Sequence, residues 1–162
     1  MSIEIRPLDP EEIPFVKEMM YEALFVRPGQ APFPRDILER PELAKYIADW
    51  GRHSYDQAIV ALSREQLVGA VWGRLFSAEQ AGYGFIDEHT PEITIAIKKE
   101  FRAQAIGTLL LQAIEIPYLE MGVPALSLSV DQLSPAIALY LRSGYQIHEE
   151  IGTAYTMRKA LS

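Results

Sequence analysis

The chain of 162 residues contains no cysteine. That absence removes disulfides, thiolate nucleophiles and cysteine-ligated zinc at once. Histidine is nearly as scarce: His53, His89 and His148 are scattered along the chain, so no metal is expected. No apolar run approaches the ~20 residues that a membrane span requires. The opening residues, Met1-Ser2-Ile3-Glu4-Ile5-Arg6, carry charge where a secretory leader is apolar. A cytoplasmic location without a membrane partner is the expectation. Basic residues are in the minority, 15 Lys and Arg against 22 Asp and Glu, for a net charge of −7. A surface of that sign repels phosphates, so nucleic acid is not an expected partner. It suits a cationic amine, and solubility accounts for it at least as well.

What is present is the make-up of an ordinary globular protein, close to half apolar and about a quarter charged. A chain of this length is read as one domain, residues 1–162, able to bury roughly two thirds of its unfolded surface. Repeats and low-complexity tracts are absent. Residues 2–8 alternate Ile3 and Ile5 with Glu4 and Arg6, the pattern of a half-buried strand. Asp9-Pro10-Glu11-Glu12 then reads as a capping box with proline at the first helical position. Apolar residues at Ile13, Val16, Met19, Met20, Ala23 and Leu24 follow at helical spacing. Residues 34–50 form a second helical region, divided near Pro41 and closed at Gly51.

Residues 58–61 and 67–76 read as a hairpin turning at Ser63-Arg64-Glu65-Gln66. Strict alternation places Val68, Ala70, Trp72 and Arg74 on one face and Leu67, Gly69, Val71, Gly73 and Leu75 on the other. Residues 77–90 make a loop long enough to suggest function. Further strands are expected at 92–97, 126–130, 145–149 and 153–158, about seven in all. A mixture of hairpins and one strand–helix–strand crossover gives a mixed α/β sheet with helices on both faces.

The stretch 92–145 carries the most information. The strand Glu92-Ile93-Thr94-Ile95-Ala96-Ile97 runs through a basic turn ending at Arg102. The small-residue loop Ala103-Gln104-Ala105-Ile106-Gly107-Thr108 then opens directly into an apolar helix. Its expected buried stripe is Ile106, Leu109, Leu110, Ala113 and Ile114, and Pro117 should kink or thin the last turn before Gly122. A strand ending in such a loop aims unpaired backbone N–H groups and a helix dipole at one point, a site for phosphate or pyrophosphate. Many such turns carry glycine for packing alone, and Arg102 adds a guanidinium suited to a phosphate. After the strand 126–130, Ser134-Pro135 caps and starts a helix that contains Tyr140 and closes at Gly144.

This order resembles the core of the GNAT family of N-acetyltransferases, over most of the chain from Ile3 to about Lys159. The resemblance implies the GNAT-like acyl-CoA N-acyltransferase fold, acetyl-CoA as co-substrate, and direct transfer to a primary amine in a ternary complex. The acceptor would be a small molecule, a peptide or a protein. Residues 102–107, Arg102-Ala103-Gln104-Ala105-Ile106-Gly107, match the family's Arg/Gln-x-x-Gly-x-Gly/Ala loop, with Thr108 next in line. Ala105 replaces the central glycine. A positive φ there would cost roughly 1–2 kcal/mol and weaken donor binding by about an order of magnitude.

The resemblance also implies roles for single residues. Ile95, Ala96 and Ile97 match the strand whose main chain pairs with the pantetheine arm. Ser134 stands where the family often has an asparagine reaching the cofactor, although a serine there caps the helix equally well. Tyr140 matches the tyrosine that serves as general acid near the sulfur; the plainer reading is a core tyrosine. Glu92 matches the position of a catalytic carboxylate in some members. Asp87, Glu88, His89 or a chain of waters are its competitors. Glu22, Phe25, Trp72, Arg74, Tyr83 and Tyr155 are candidates for the acceptor pocket. Positioning supplies most of the rate, about 7–11 kcal/mol, and a general acid adds roughly 10²–10⁴-fold.

Two other readings remain open from the sequence. One is an acyl-CoA-binding sensor or interaction domain of the same fold with weak or no turnover. The other is a nucleotide-binding α/β domain with a different phosphate ligand. Exposed sheet edges are compatible with a homodimer.

Overall fold

The computed structural model describes residues 2–102 and 104–161. Strand β1 (Ile3–Pro7) leads through one turn of 3-10 helix (Pro10–Glu12) into α1 (Ile13–Glu22). The Asp9 N–H donates to Glu12 Oε1 at 2.9 Å, and the same carboxylate accepts two bonds from the Arg6 guanidinium. The next region divides where proline dictates. A 3-10 segment (Arg35–Glu39) stops at Arg40, held extended at ψ 138° before Pro41 opens the short α2 (Pro41–Ala44).

β2 (Gln57–Ser63) and β3 (Gln66–Arg74) form the expected hairpin. Arg64 and Glu65 both adopt positive φ, 50° and 66°, as a two-residue turn matched to strand twist requires. The chain then forms β4 (Glu92–Ile97), α3 (Ile106–Glu120), β5 (Ala125–Asp131), α4 (Ala136–Arg142), β6 (Gln146–Ile151) and β7 (Ala154–Ala160). The seven strands make one sheet in the order β1-β2-β3-β4-β5-β7-β6. Every neighbouring pair is antiparallel except β4 and β5, which α3 connects in parallel.

Two apolar cores cover the two faces. α1 and α2 bury Val16, Met19 and Leu43 against Val60, Ala70 and Trp72. α3 and α4 bury Leu110, Ile114 and Tyr140 against Val71, Ile93 and Leu126.

Two expectations about faces are corrected. The register shifts at Ala61/Leu62, where Ala61 faces Gly69 and Leu62 faces Leu67. Val68 is thus the extra residue of a β-bulge, and it packs with Val71 rather than with Ala70 and Trp72. In α3 the buried face is Ile106, Gly107, Leu110, Leu111, Ile114 and Tyr118, and Leu109 stands 39% exposed. Three consecutive leucines at 109–111 let the sequence pattern fit a stripe turned by one residue. The helix also continues past Pro117 to Glu120.

Candidate active site

The sheet opens in its middle. β4 and β5 are paired at one position, Glu92 with Ser127, beside a bond from the Ser127 N–H to the Pro91 carbonyl at 2.9 Å. Beyond it β4 stays paired with β3 through Ile97, and β5 stays paired with β7 through Asp131. The pleat decides which main-chain groups face the opening. Lys98 N–H bonds the Val68 carbonyl on β3, so even-numbered residues turn toward β3 and odd-numbered ones toward β5. Ile95 and Ile97 therefore present their main chain to the gap, whereas Ala96 presents its own to β3. The Ile97 carbonyl is taken by Arg102 Nε at 3.0 Å.

At the end of β4 the chain enters the loop before α3. Ala105 sits at φ 63°, ψ 9°, in the left-handed region that favours glycine. Its carbonyl accepts the Leu109 N–H at 3.3 Å, which leaves the amides of Ile106, Gly107 and Thr108 ahead of the helical ladder. Among the described residues those three amides have no hydrogen-bond partner. Gln104 is exposed, and Ala103 lies outside the described residues. Gly107 also has a packing reason: a Cβ there would lie 2.8 Å from Leu139 Cδ2, so its smallness lets α3 approach α4. The Arg102 guanidinium reaches Glu22 at 4.0 Å, tying the end of α1 to this loop.

A cavity of about 150 Å³ runs through the opening. Met20, Leu43 and Tyr46 line it from the α1/α2 layer, and Ile95, Leu128 and Tyr140 line it from the other. Glu92 lies on its wall, 3% exposed, with Tyr46 donating to Oε2 at 2.6 Å. Tyr46 is itself fixed by the Tyr83 N–H, which donates to its hydroxyl at 2.7 Å. Glu92 Oε1 makes no hydrogen bond. Gly82 abuts that oxygen so closely that any Cβ would press on it and come within 2.7 Å of the Tyr46 hydroxyl.

Burial pushes the Glu92 carboxyl up to about 7, against the pull of the Tyr46 hydroxyl, the Gly84 amide and the Lys45 charge. Burial raises the Tyr46 phenol as well, and the neighbouring carboxylate adds to the rise. Tyr140, 8% exposed, is pushed up to about 12 by burial alone, so it keeps its proton at neutral pH. Its ring meets Tyr145 edge-on at 6.3 Å.

The structure thus brings Glu92, Ile95 and Tyr140 to one cleft. Ser134 lies at the start of α4, where its Oγ accepts the Ala136 N–H at 3.1 Å. The other acceptor-pocket candidates go elsewhere, Tyr83 excepted. Trp72 is core, Arg74 is bonded to Asp56, Glu22 faces Arg102, and Tyr155 packs on the α3/α4 side. Asp87 accepts from the His89 N–H and the Thr90 hydroxyl, and Glu88 accepts from the Ala78 N–H; none of the three lines the cavity. Tyr46 escaped the sequence reading, because its partner lies 46 positions away and no local pattern announces it. Among the described residues no group of three or more His, Asp or Glu is arranged to hold a metal.

These features agree with what comparison with known proteins returns. Residues 17–145 match the model of the acetyltransferase (GNAT) family, and the chain belongs to that family. It is therefore an acyltransferase with acetyl-CoA as co-substrate. No curated protein sequence matches it. Among solved structures, it is similar to the PaiA N-acetyltransferase of Thermoplasma acidophilum in complex with coenzyme A. The two share 18% identity and a TM-score of 0.69, with 99% of each chain covered. YncA of Salmonella typhimurium, solved with its cofactor acetyl-CoA, shares 16% identity over 100% of this chain and 95% of that one, at a TM-score of 0.69. The ribosomal-protein-S18-alanine N-acetyltransferase of Escherichia coli shares 14% over 99% and 95%, at 0.66. At these identities the likeness is one of fold. Among the described residues, no helix is long and apolar enough to cross a membrane.

Proposed function

We propose that the protein transfers the acetyl group of acetyl-CoA to a primary amine by direct attack in a ternary complex. The observation that carries this reading is the cavity through the sheet, because it gives Glu92 and Tyr140 access to one space from opposite layers. The residues present suit the donor. The unpartnered amides of Ile106, Gly107 and Thr108 are matched to a pyrophosphate, with Arg102, Gln104 and Ala105 on the rim of the same loop. The free edge at Ile95 and Ile97 is matched to an amide-bearing arm laid down as an added strand, beside Ala96 on the paired edge. Acetyl-CoA supplies an acyl carbon activated as a thioester.

The chain's own groups do the rest. Glu92, with a carboxyl at about 7, accepts a proton from the ammonium form of the acceptor at neutral pH. The Ile97 N–H is the donor on the gap edge available to a carbonyl oxygen as it gains charge. Tyr140 holds a proton for the departing thiolate, and Ser134 fixes the first turn of the helix that carries it. Replacing Tyr140 by phenylalanine is expected to lower kcat at least about tenfold while leaving the KM for acetyl-CoA near normal. Unchanged turnover would remove Tyr140 from the mechanism.

The left-handed Ala105 favours a second reading, an acyl-CoA-binding sensor with little turnover. An alanine there carries a strain of roughly 1–2 kcal/mol in the loop that would grip the donor. Calorimetry with acetyl-CoA, followed by CoA release against a panel of amines, separates the two. A sensor binds the donor and releases nothing.

A further inference from the structure

The cavity also restricts what it admits, and this inference rests on the acetyltransferase reading above. We propose that the acceptor is a compact primary monoamine with an apolar body and no carboxylate beside the amine. On the acceptor side the walls are Met20, Ala23, Leu24 and Leu43, with Leu128 across the opening. Among the described residues lining the cavity, Glu92 alone carries a formal charge. It is buried, and one of its oxygens is unpartnered, so a single ammonium finds both a counter-charge and a free acceptor there.

Among the described residues lining the cavity, no second anion awaits a second ammonium. No cation awaits a carboxylate beside the amine, which would also face the Glu92 charge. Lys45, whose charge is felt at Glu92, turns its ammonium to the Ala81 carbonyl instead. Size points the same way. A space of about 150 Å³ that also has to admit the acyl end of the donor leaves room for a small acceptor body.

The test uses the full chain with acetyl-CoA and reads CoA release with a thiol reagent, to which a chain without cysteine contributes no background. Phenethylamine and isoamylamine are compared with phenylalanine and leucine, which add only the carboxylate, and with spermidine and an alanyl peptide. The two monoamines are expected to exceed the others in kcat/KM by roughly 10–100-fold, the cost of burying one unpaired polar group. An equal or higher value for an amino acid, spermidine or the peptide overturns this proposal and leaves acetyl transfer standing. Binding of acetyl-CoA without CoA release from any amine overturns the enzymatic reading, and the proposal with it. A second measurement uses Leu24→Arg, which sets a cation into the half-buried wall. The ratio of phenylalanine to phenethylamine turnover is expected to rise at least about tenfold. A folded variant with an unchanged ratio overturns the assignment of that wall to the acceptor.

Discussion

Asp56 and Glu92 are both carboxylates removed from water, and they are treated in opposite ways. The Asp56 side chain is 1% exposed and that of its partner Arg74 4%. Arg74 Nε and one terminal nitrogen each donate to Asp56 at 2.9 Å, and the Gly51 N–H adds a third bond at 2.9 Å. The remaining terminal nitrogen of Arg74 reaches the Lys45 carbonyl at 2.7 Å. Glu92 has no cation in contact; the Tyr46 phenol donates to one oxygen, the Gly84 amide acts on the carboxyl as well, and Oε1 is left without a hydrogen bond. The first arrangement leaves nothing for a ligand to do. The second keeps an acid poised near neutrality, and only a visiting donor can complete it.

The contrast can be broken by substitution at each carboxylate. Glu92→Gln is expected to reduce kcat/KM by about 10²–10⁴-fold, the usual contribution of a positioned proton acceptor. The same change should stabilise the fold at pH 8. A carboxyl raised from 4.5 to about 7 in the folded state contributes stability that is present below about pH 4.5 and lost as pH rises through about 7. The neutral amide escapes that loss, which amounts to ~3 kcal/mol at most. Thermal melts at pH 5 and pH 8 check it: the variant's advantage must grow with pH. Asp56→Asn should do the reverse. It leaves the Arg74 charge buried and uncompensated, for a loss of about 3–5 kcal/mol in denaturant unfolding, while turnover per folded molecule changes far less.

A subtler change sharpens the comparison. Tyr46→Phe removes the hydroxyl that pulls the Glu92 carboxyl down, so the rising limb of kcat/KM should move from near pH 7 to higher pH. The expected displacement is about one pH unit, or ~1.4 kcal/mol. A rising limb that stays in place would show that Glu92 does not set it.

Much of this was legible in the residue order where the determinants are local. The Asp9–Glu12 box, the proline break at Arg40, the turn at Arg64-Glu65 and the loop before α3 are each written within a few residues. The faces of β3 and α3 were not. A bulge at Val68 depends on how the hairpin partner is registered, and an all-apolar run at 109–111 fits more than one buried stripe. Glu92 and Tyr140 were singled out through their place in a family pattern, and both line the cavity. Tyr46, Gly82 and the cavity were beyond reach, because they exist only once the residue 77–90 loop folds over α2 and β4. Ala105 was readable as a departure, and its left-handed backbone settles that the departure carries strain.

The seam between β4 and β5 has a mechanical side as well. Four strands lie on one side of it and three on the other, and their ladders touch at a single rung. A ligand laid along that seam would bridge the two ladders, and by binding the folded chain alone it would raise the melting temperature in proportion to its occupancy.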